Sequence, residues 1–373
     1  MVTTVASPTN LAGRYRRFGA AQVAAALLLL VFAGQCLWLA ARIPVSPGEM
    51  LYARAAPPNA ESQAASSPIT ALLARTSSPS AGSPLWLARL PFVVTGLLLG
   101  ASVWYVTRRL YGNIGGYIAL MLYSFSPSLI SYSARIHPQI VAAWSLFGCI
   151  FTSIAVAHTL YAPREVFFWN RKRIALLGIA IGLGAAAQFS TVLAIGVGLV
   201  FMLYLVPERR SAALGIMASG TALGMLILWA VNRFSIARLQ GQLSGAGFSA
   251  PAATLFSAPA WRMIAVLLLH DGPGLMLLLL IAMATLGVWR RTRFFGNLAP
   301  LLAALVLIVG GLAFPTAGGL SFWISAFPFL FVFIAGVWAD LLQSRHAAMA
   351  LGILAAALAG QAYFSLEGLW RLR

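Results

Sequence analysis

The sequence predicts an all-α, polytopic integral membrane protein of about eleven transmembrane helices, a prediction resting on composition, run length and charge placement. Of 373 residues, 61% are hydrophobic and 9% charged, whereas soluble domains carry about 25% charged residues. Apolar runs of span length recur along the chain. About 20 such residues cross ~30 Å of hydrocarbon, and every backbone group inside must bond within its own helix. The net charge of +18 would suggest nucleic acid in a soluble protein. Here Arg and Lys cluster beside the apolar runs, so membrane lipids are the expected partners and nucleic acid is not.

In order, residues 1–19 read as a cytoplasmic N-terminal segment and 20–364 as one transmembrane domain. Spans fall near 20–41, 86–107, 114–132, 139–160, 174–189, 191–206, 213–231, 263–288, 298–314, 322–342 and 347–364, and 365–373 form an outer tail. The first run exceeds the apolar core of about 7–15 residues that signal peptides use, so it reads as a retained anchor. A cytoplasmic N-terminus puts 15 of the 25 Arg and Lys residues inside, among them Arg14, Arg16, Arg17, Arg108, Arg109, Arg171, Lys172 and Arg173. The expected location is a bacterial inner membrane. Two long loops then face outward, 42–85 and 232–262, and long loops in compact proteins are usually functional. Within the first, "ITALLAR" at 69–75 is expected as a short surface helix. The eighth span is expected to be helical from Pro273, with Asp271 of "HDGPG" as its N-cap.

Small residues at Gly178-x-x-x-Gly182 and Gly220-x-x-x-Gly224 have the spacing that lets helix backbones approach closely. Cys36 and Cys149 fall inside spans, where thiols behave as small apolar groups. Trp38, Trp86, Trp261 and Trp338 fit interfacial anchoring.

Residues 41–148 carry a specific order of features: Gly48-Glu49-Met50-Leu51-Tyr52, then Ser67-Pro68-Ile69. "ARLPFVVTGLLLGASVWYVTRRLYG" at 88–112 and "SFSPSLISYSARIHPQI" at 124–140 follow. This order resembles the GT-C membrane glycosyltransferases that use polyprenyl-phosphate sugars, the branch of protein O-mannosyltransferases and lipid A aminoarabinose transferases. "GLGAAAQFSTVLAIGVGLVFMLY" at 182–204 and "FWISAFPFLFVFIAG" at 322–336 extend the likeness. Departures are as informative. Gly48 stands where the family has Asp, and Pro138-Gln139 where it has Pro-Asp. Gln188-Phe189-Ser190 replaces a stretch with Lys, and a late Arg is missing near Phe322 and Trp323.

The resemblance implies transfer of a sugar from a polyprenyl-phosphate lipid to an acceptor at the outer face. That chemistry needs a group to take the acceptor proton and cations to neutralise the leaving phosphate. It makes Glu49 the expected base, with Tyr52, Arg54, Arg135, His137 and Gln139 as expected substrate contacts. The bland alternative for Glu49 is a solvated loop carboxylate, or one paired with Arg42 or Arg54. Arg42, Arg75, Arg233, Arg238 and Arg262 are further outer cations that would equally serve as surface anchors. No metal or other cofactor is expected, because a divalent ion usually needs more than one carboxylate. The lost acids leave a second reading open: an inactive homologue that keeps the lipid groove as an accessory subunit beside other membrane proteins. A transporter or flippase is disfavoured by the scarcity of intramembrane charges.

Overall fold

A computed structural model describes residues 19–53, 67–77, 84–160, 166–244, 257–289, 295–314 and 319–371. The helices are α1 (Ala20–Arg42), α2 (Pro47–Ala53), α3 (Pro68–Ser77), α4 (Leu85–Ser124), α5 (Pro127–Ser133), α6 (Pro138–Ala157), α7 (Val166–Ala187) and α8 (Leu193–Leu205). They continue with α9 (Arg210–Val231), α10 (Ile236–Ser244), α11 (Ala258–His270), α12 (Pro273–Val288), α13 (Phe295–Ala313), α14 (Gly319–Leu341) and α15 (Ala347–Trp370). Among the described residues 7 helices are long and apolar enough to cross a membrane, or 8 if the bent pair α11 and α12 counts as one span. This is an all-α integral membrane bundle.

The difference from eleven has local causes. The expected spans 86–107 and 114–132 are the two helices that make up α4, joined at a kink at Gly112 (φ 76), the second being short and followed by the short α5. Helix α7 carries Arg171, Lys172 and Arg173 within its early turns, and α8 has only 13 residues. The expected span 263–288 is two helices bent by 114°, with α12 starting at Pro273.

The central helix is α14, 94% buried along its apolar window. It is apolar all round, as a helix surrounded by other helices must be. Phe327, Phe329, Phe331 and Phe333 are all buried, and Phe147 of α6 packs on Phe329 with ring centroids 5.2 Å apart. Helices α4, α6, α12 and α13 pack around α14, while α1 lies against α4. Helices α7 and α9 form another close pair, built on the two glycine motifs. A Cβ at Gly178 would lie 2.6 Å from Leu223, one at Gly182 2.7 Å from Ile227, one at Gly220 2.8 Å from Leu177 and one at Gly224 2.6 Å from Ile181. The motifs are each other's partners.

Two polar ends frame this core. At one, Asn297 Nδ2 donates to Asp340 Oδ2 at 3.1 Å, the Tyr111 hydroxyl donates to the Gly296 carbonyl, and Arg108 lies 5.0 Å over the Trp104 ring. The other gathers the end of α1, α2, α3, α5, the start of α6 and the end of α7, and is called the α2 end below. The expected surface helix is α3, which buries Ile69, Thr70, Ala71 and Ala74 and leaves Leu72 outside. Part of the second long loop folds back at this end as well: Gln242 of α10 donates to the Ala185 carbonyl at 2.7 Å and accepts from Asn232 at 3.1 Å.

The "HDGPG" stretch is a junction rather than a simple helix start. Gly272 is the N-cap of α12, with φ 126, and a Cβ there would lie 2.4 Å from Gln361 Oε1. A Cβ on Gly274 would meet the Ala357 carbonyl oxygen at 2.3 Å, so α12 and α15 touch backbone to backbone. Asp271, expected to cap α12, instead closes α11 with its backbone and sends its carboxylate across to α5. Ser126 takes the α5 N-cap and Pro127 follows at N1, where a missing N–H costs nothing.

Candidate functional site

Glu49 is the centre of the α2 end. It is 1% exposed, which excludes the solvated-loop reading, and among the described residues its ion-pair partner is Arg89 of α4 and not Arg42. Arg89 Nε donates to Glu49 Oε1 at 3.0 Å and an Nη to Oε2 at 2.8 Å, a bidentate pair. The Ser46 N–H donates to Oε2 at 3.0 Å and the Ile136 N–H to Oε1 at 3.0 Å. A carboxylate offers roughly four acceptor positions, so this one is filled. Arg89 is itself 2% exposed and donates onward to the carbonyls of Ala40 at 2.6 Å and Ile43 at 3.0 Å, which lack partners inside α1. One ion pair therefore fastens the end of α1, α2, α4 and the turn before α6.

That turn carries the expected substrate residues. Ile136, held by Glu49, stands between Arg135 and His137. Arg135 is partly buried, and its Nε is enclosed without a hydrogen-bond partner. His137 is the N-cap of α6, makes no side-chain capping bond, and packs edge-on against Tyr132 with centroids 5.7 Å apart. Gln139 lies in the first turn of α6 with its Oε1 buried and unpartnered. Tyr52 packs against the core from α2. Arg54 lies outside the described residues. Glu49, Arg135, His137 and Gln139 thus share one end, with the N-terminus of α6 among them.

Electrostatics follow from this packing. Burial alone would push the Glu49 carboxyl up, but the Arg89 hydrogen bonds, the Ile136 and Ser46 N–H groups and the Arg89 charge outweigh it and hold it below the usual carboxylate range. For His137, burial favours the neutral ring. Glu49 opposes that and Arg135 reinforces it, so the imidazole is held below its ordinary value. Among the described residues no group of three or more His, Cys, Asp or Glu side chains gathers to hold a metal ion.

An apolar groove runs between α8 and α13, with a volume of about 710 Å³. Leu193, Val197, Val200 and Phe201 form one wall, and Val306 and Val309 part of the other. Gly196 and Gly310 line it too, and nothing lies within 4 Å of a Cβ added at either. Its Leu193, Phe314 and Phe322 end lies beyond the end of α7, on the α2 side of the bundle. Phe322 therefore belongs to the groove wall where the resemblance has an Arg nearby. Ser190, in the stretch that replaces the family's Lys, is buried in the short 3₁₀ turn leading into α8, and its hydroxyl has no partner.

Sequence reasoning missed Arg89 as the partner of Glu49. The available signal was a lone Arg between apolar residues in "ARLPF", in a chain with only 7 carboxylates. A buried cation must be paired.

Residues 65–234 match the family model described as dolichyl-phosphate-mannose-protein mannosyltransferase, a range that includes Arg89 and Arg135 but not Glu49. Apo ArnT from Cupriavidus metallidurans superposes with TM-score 0.60 at 16% identity, over 95% of this chain and 76% of that one. The same enzyme bound to undecaprenyl phosphate gives 0.57 at 15%, over 93% and 74%. The oligosaccharyltransferase AglB from Archaeoglobus fulgidus, in complex with an inhibitory peptide and a dolichol-phosphate, gives 0.55 at 13%, over 92% and 56%. The chain thus spans little more than half the length of the archaeal enzyme. No curated protein sequence matches. The bundle, its order of helices and its family match agree: this chain has the fold of the GT-C membrane glycosyltransferases.

Proposed function

We propose that the chain acts as a polyprenyl-phosphate-dependent membrane glycosyltransferase. The lipid chain occupies the α8–α13 groove, the phosphate lies on Arg135 at the start of α6, and the α2 end faces outward with the N-terminus cytoplasmic. One observation carries this reading: the groove ends on the side of the bundle where Arg135, its Nε enclosed without a hydrogen-bond partner, stands beside a helix N-terminus. Guanidinium and exposed backbone N–H groups are the chemistry that receives a phosphate. In this reading Glu49 is a positioning residue and not the base, because its oxygens are already filled. His137 takes the acceptor proton: burial favours the neutral form of the ring, which makes no hydrogen bond among the described residues and adjoins Arg135.

The filled carboxylate also favours the second reading, a lipid-binding homologue without turnover. Gly48, where the resemblance has Asp, is exposed, and an added Cβ would meet only Ser46 Oγ at 3.9 Å. A side chain at this position would therefore begin in open space. The test is transfer of labelled sugar from a panel of undecaprenyl-phosphate sugars in proteoliposomes, beside direct binding of undecaprenyl phosphate. Transferase function predicts turnover that falls about 10²–10⁴-fold in His137→Gln with donor binding kept. Binding without turnover, gained in Gly48→Asp, would instead establish the second reading. A protein that binds no polyprenyl phosphate would sink both.

A further inference from the structure

Asp271 is fully buried, and its carboxylate is held by hydroxyl and amide donors, with the neighbouring His270 also favouring its charged form. Ser126 Oγ donates to it, 2.8 Å from each oxygen, and the Ser128 N–H donates to Oδ1 at 2.9 Å. Ser126 Oγ in turn accepts from the Leu129 N–H at 3.3 Å. The first turn of α5 is therefore capped twice, by its own serine and by an acid from the α11–α12 junction. Gln361 of α15 locks that junction: its Oε1 accepts from the Leu275 N–H at 3.0 Å, and its Nε2 donates to the Phe125 carbonyl at 2.9 Å and to the Asp271 carbonyl. A buried acid near the membrane whose hydrogen bonds come from neutral donors is costly and usually functional.

Helix α5 has 7 residues and leads through Ala134 directly to Arg135. Its far side is held by Glu49 through the Ile136 N–H. Two of the chain's 7 carboxylates thus grip the two ends of one short segment, and that segment bears Arg135 and His137. We infer that Asp271 and Ser126 are positioning residues for the Arg135–His137 phosphate site, setting the N-terminal end of α5 as Glu49 sets its C-terminal end. The inference rests on the phosphate-lipid reading above. It adds that the α11–α12 junction and α15, far away in sequence, determine where the phosphate ligands stand. A segment 7 residues long spans about 10 Å, so a slip at Ser126 is passed to Arg135 without being absorbed.

Binding of undecaprenyl phosphate and of undecaprenol to the full chain in nanodiscs tests this, because the alcohol fills the groove but needs no phosphate ligands. Asp271→Ala is expected to weaken undecaprenyl phosphate at least about tenfold and to leave undecaprenol within about twofold, since an ångström of misplacement is enough for such losses. Asp271→Asn keeps a carbonyl for the Ser128 N–H and is expected to restore phosphate-lipid binding to within about threefold. Should Asp271→Ala fail to fold, Ser126→Ala removes one donor and is expected to weaken only the phosphate lipid, by several-fold. Unchanged phosphate-lipid affinity, equal loss of both lipids, or no rescue by Asn would each overturn the clamp. A wild-type chain that binds undecaprenol but not undecaprenyl phosphate would fail the underlying reading instead, and the clamp with it.

Discussion

At the residue scale, the α2 end depends on a charge pair removed from water. Taking two charges out of water is expensive, and the cost is met here because both ions have every polar atom engaged. Removing one partner leaves the other buried and unpaired. Glu49→Gln is therefore expected to lower stability by about 3–5 kcal/mol, and Arg89→Met by a similar amount. The double variant Glu49→Gln/Arg89→Met should lose less than the sum, which a double-mutant cycle of thermal unfolding in mild detergent would show. The pH dependence has a definite sign. Because the folded-state carboxyl titrates below its ordinary value, its stabilisation is complete above the ordinary carboxylate range of about 4.3 and is lost as pH falls through the lower, folded-state value. Unfolding temperature should fall on acidification below that range in the wild type, and the part due to this pair should be absent in the double variant.

At the element scale, helix contact is set by the smallest residues. The α7–α9 pair approaches so closely that Gly182 would carry a Cβ 2.9 Å from the Gly224 carbonyl oxygen. Backbone cannot yield as a side-chain tip can, so overpacking there forces the helices apart. Gly182→Leu is expected to destabilise by at least about 1–3 kcal/mol. Gly352→Leu on α15, where nothing lies within 4 Å, should be close to neutral in the same unfolding assay. A neutral Gly182→Leu would mean that the α7–α9 contact is not as drawn. The bend at Gly112 belongs to the same scale: its φ of 76 and ψ of −173 lie in a region open essentially to glycine alone, so Gly112→Ala should cost about 1–3 kcal/mol although its surroundings are open.

At the scale of the whole molecule, the bundle leaves one long apolar seam open between α8 and α13 while α14 closes the centre. Gly196 and Gly310 contribute no side chain to that seam, and each has free space where a side chain would begin. Gly196→Trp and Gly310→Trp are therefore expected to plug it without disturbing the fold. Undecaprenyl phosphate binding should drop by at least about tenfold, while the unfolding temperature stays within a few degrees. Retained binding in both plugged variants would place the lipid chain elsewhere. The opposite end gathers Arg108, Arg171, Lys172 and Arg173, the charge asymmetry on which the proposed orientation rests. Single-cysteine labelling from either side of sealed vesicles would check it, with Ser46→Cys expected to react from outside.

Helical membrane architecture and the positions of the helices were legible in the sequence, because apolar run length and backbone hydrogen bonding allow few other solutions. The glycine motifs were equally readable, since their spacing is a property of one helix. So was the neighbourhood of Arg135, His137 and Gln139, which are close in sequence. Partnership was not legible. Glu49 meets Arg89 across 40 residues, and Asp271 meets Ser126 across 145. Periodicity reports which face of a helix is apolar, but not which distant turn arrives to take a buried charge. Tertiary packing alone decided that Glu49 and Asp271 hold the ends of a short helix, because only there do their oxygens find enough donors to remain inside.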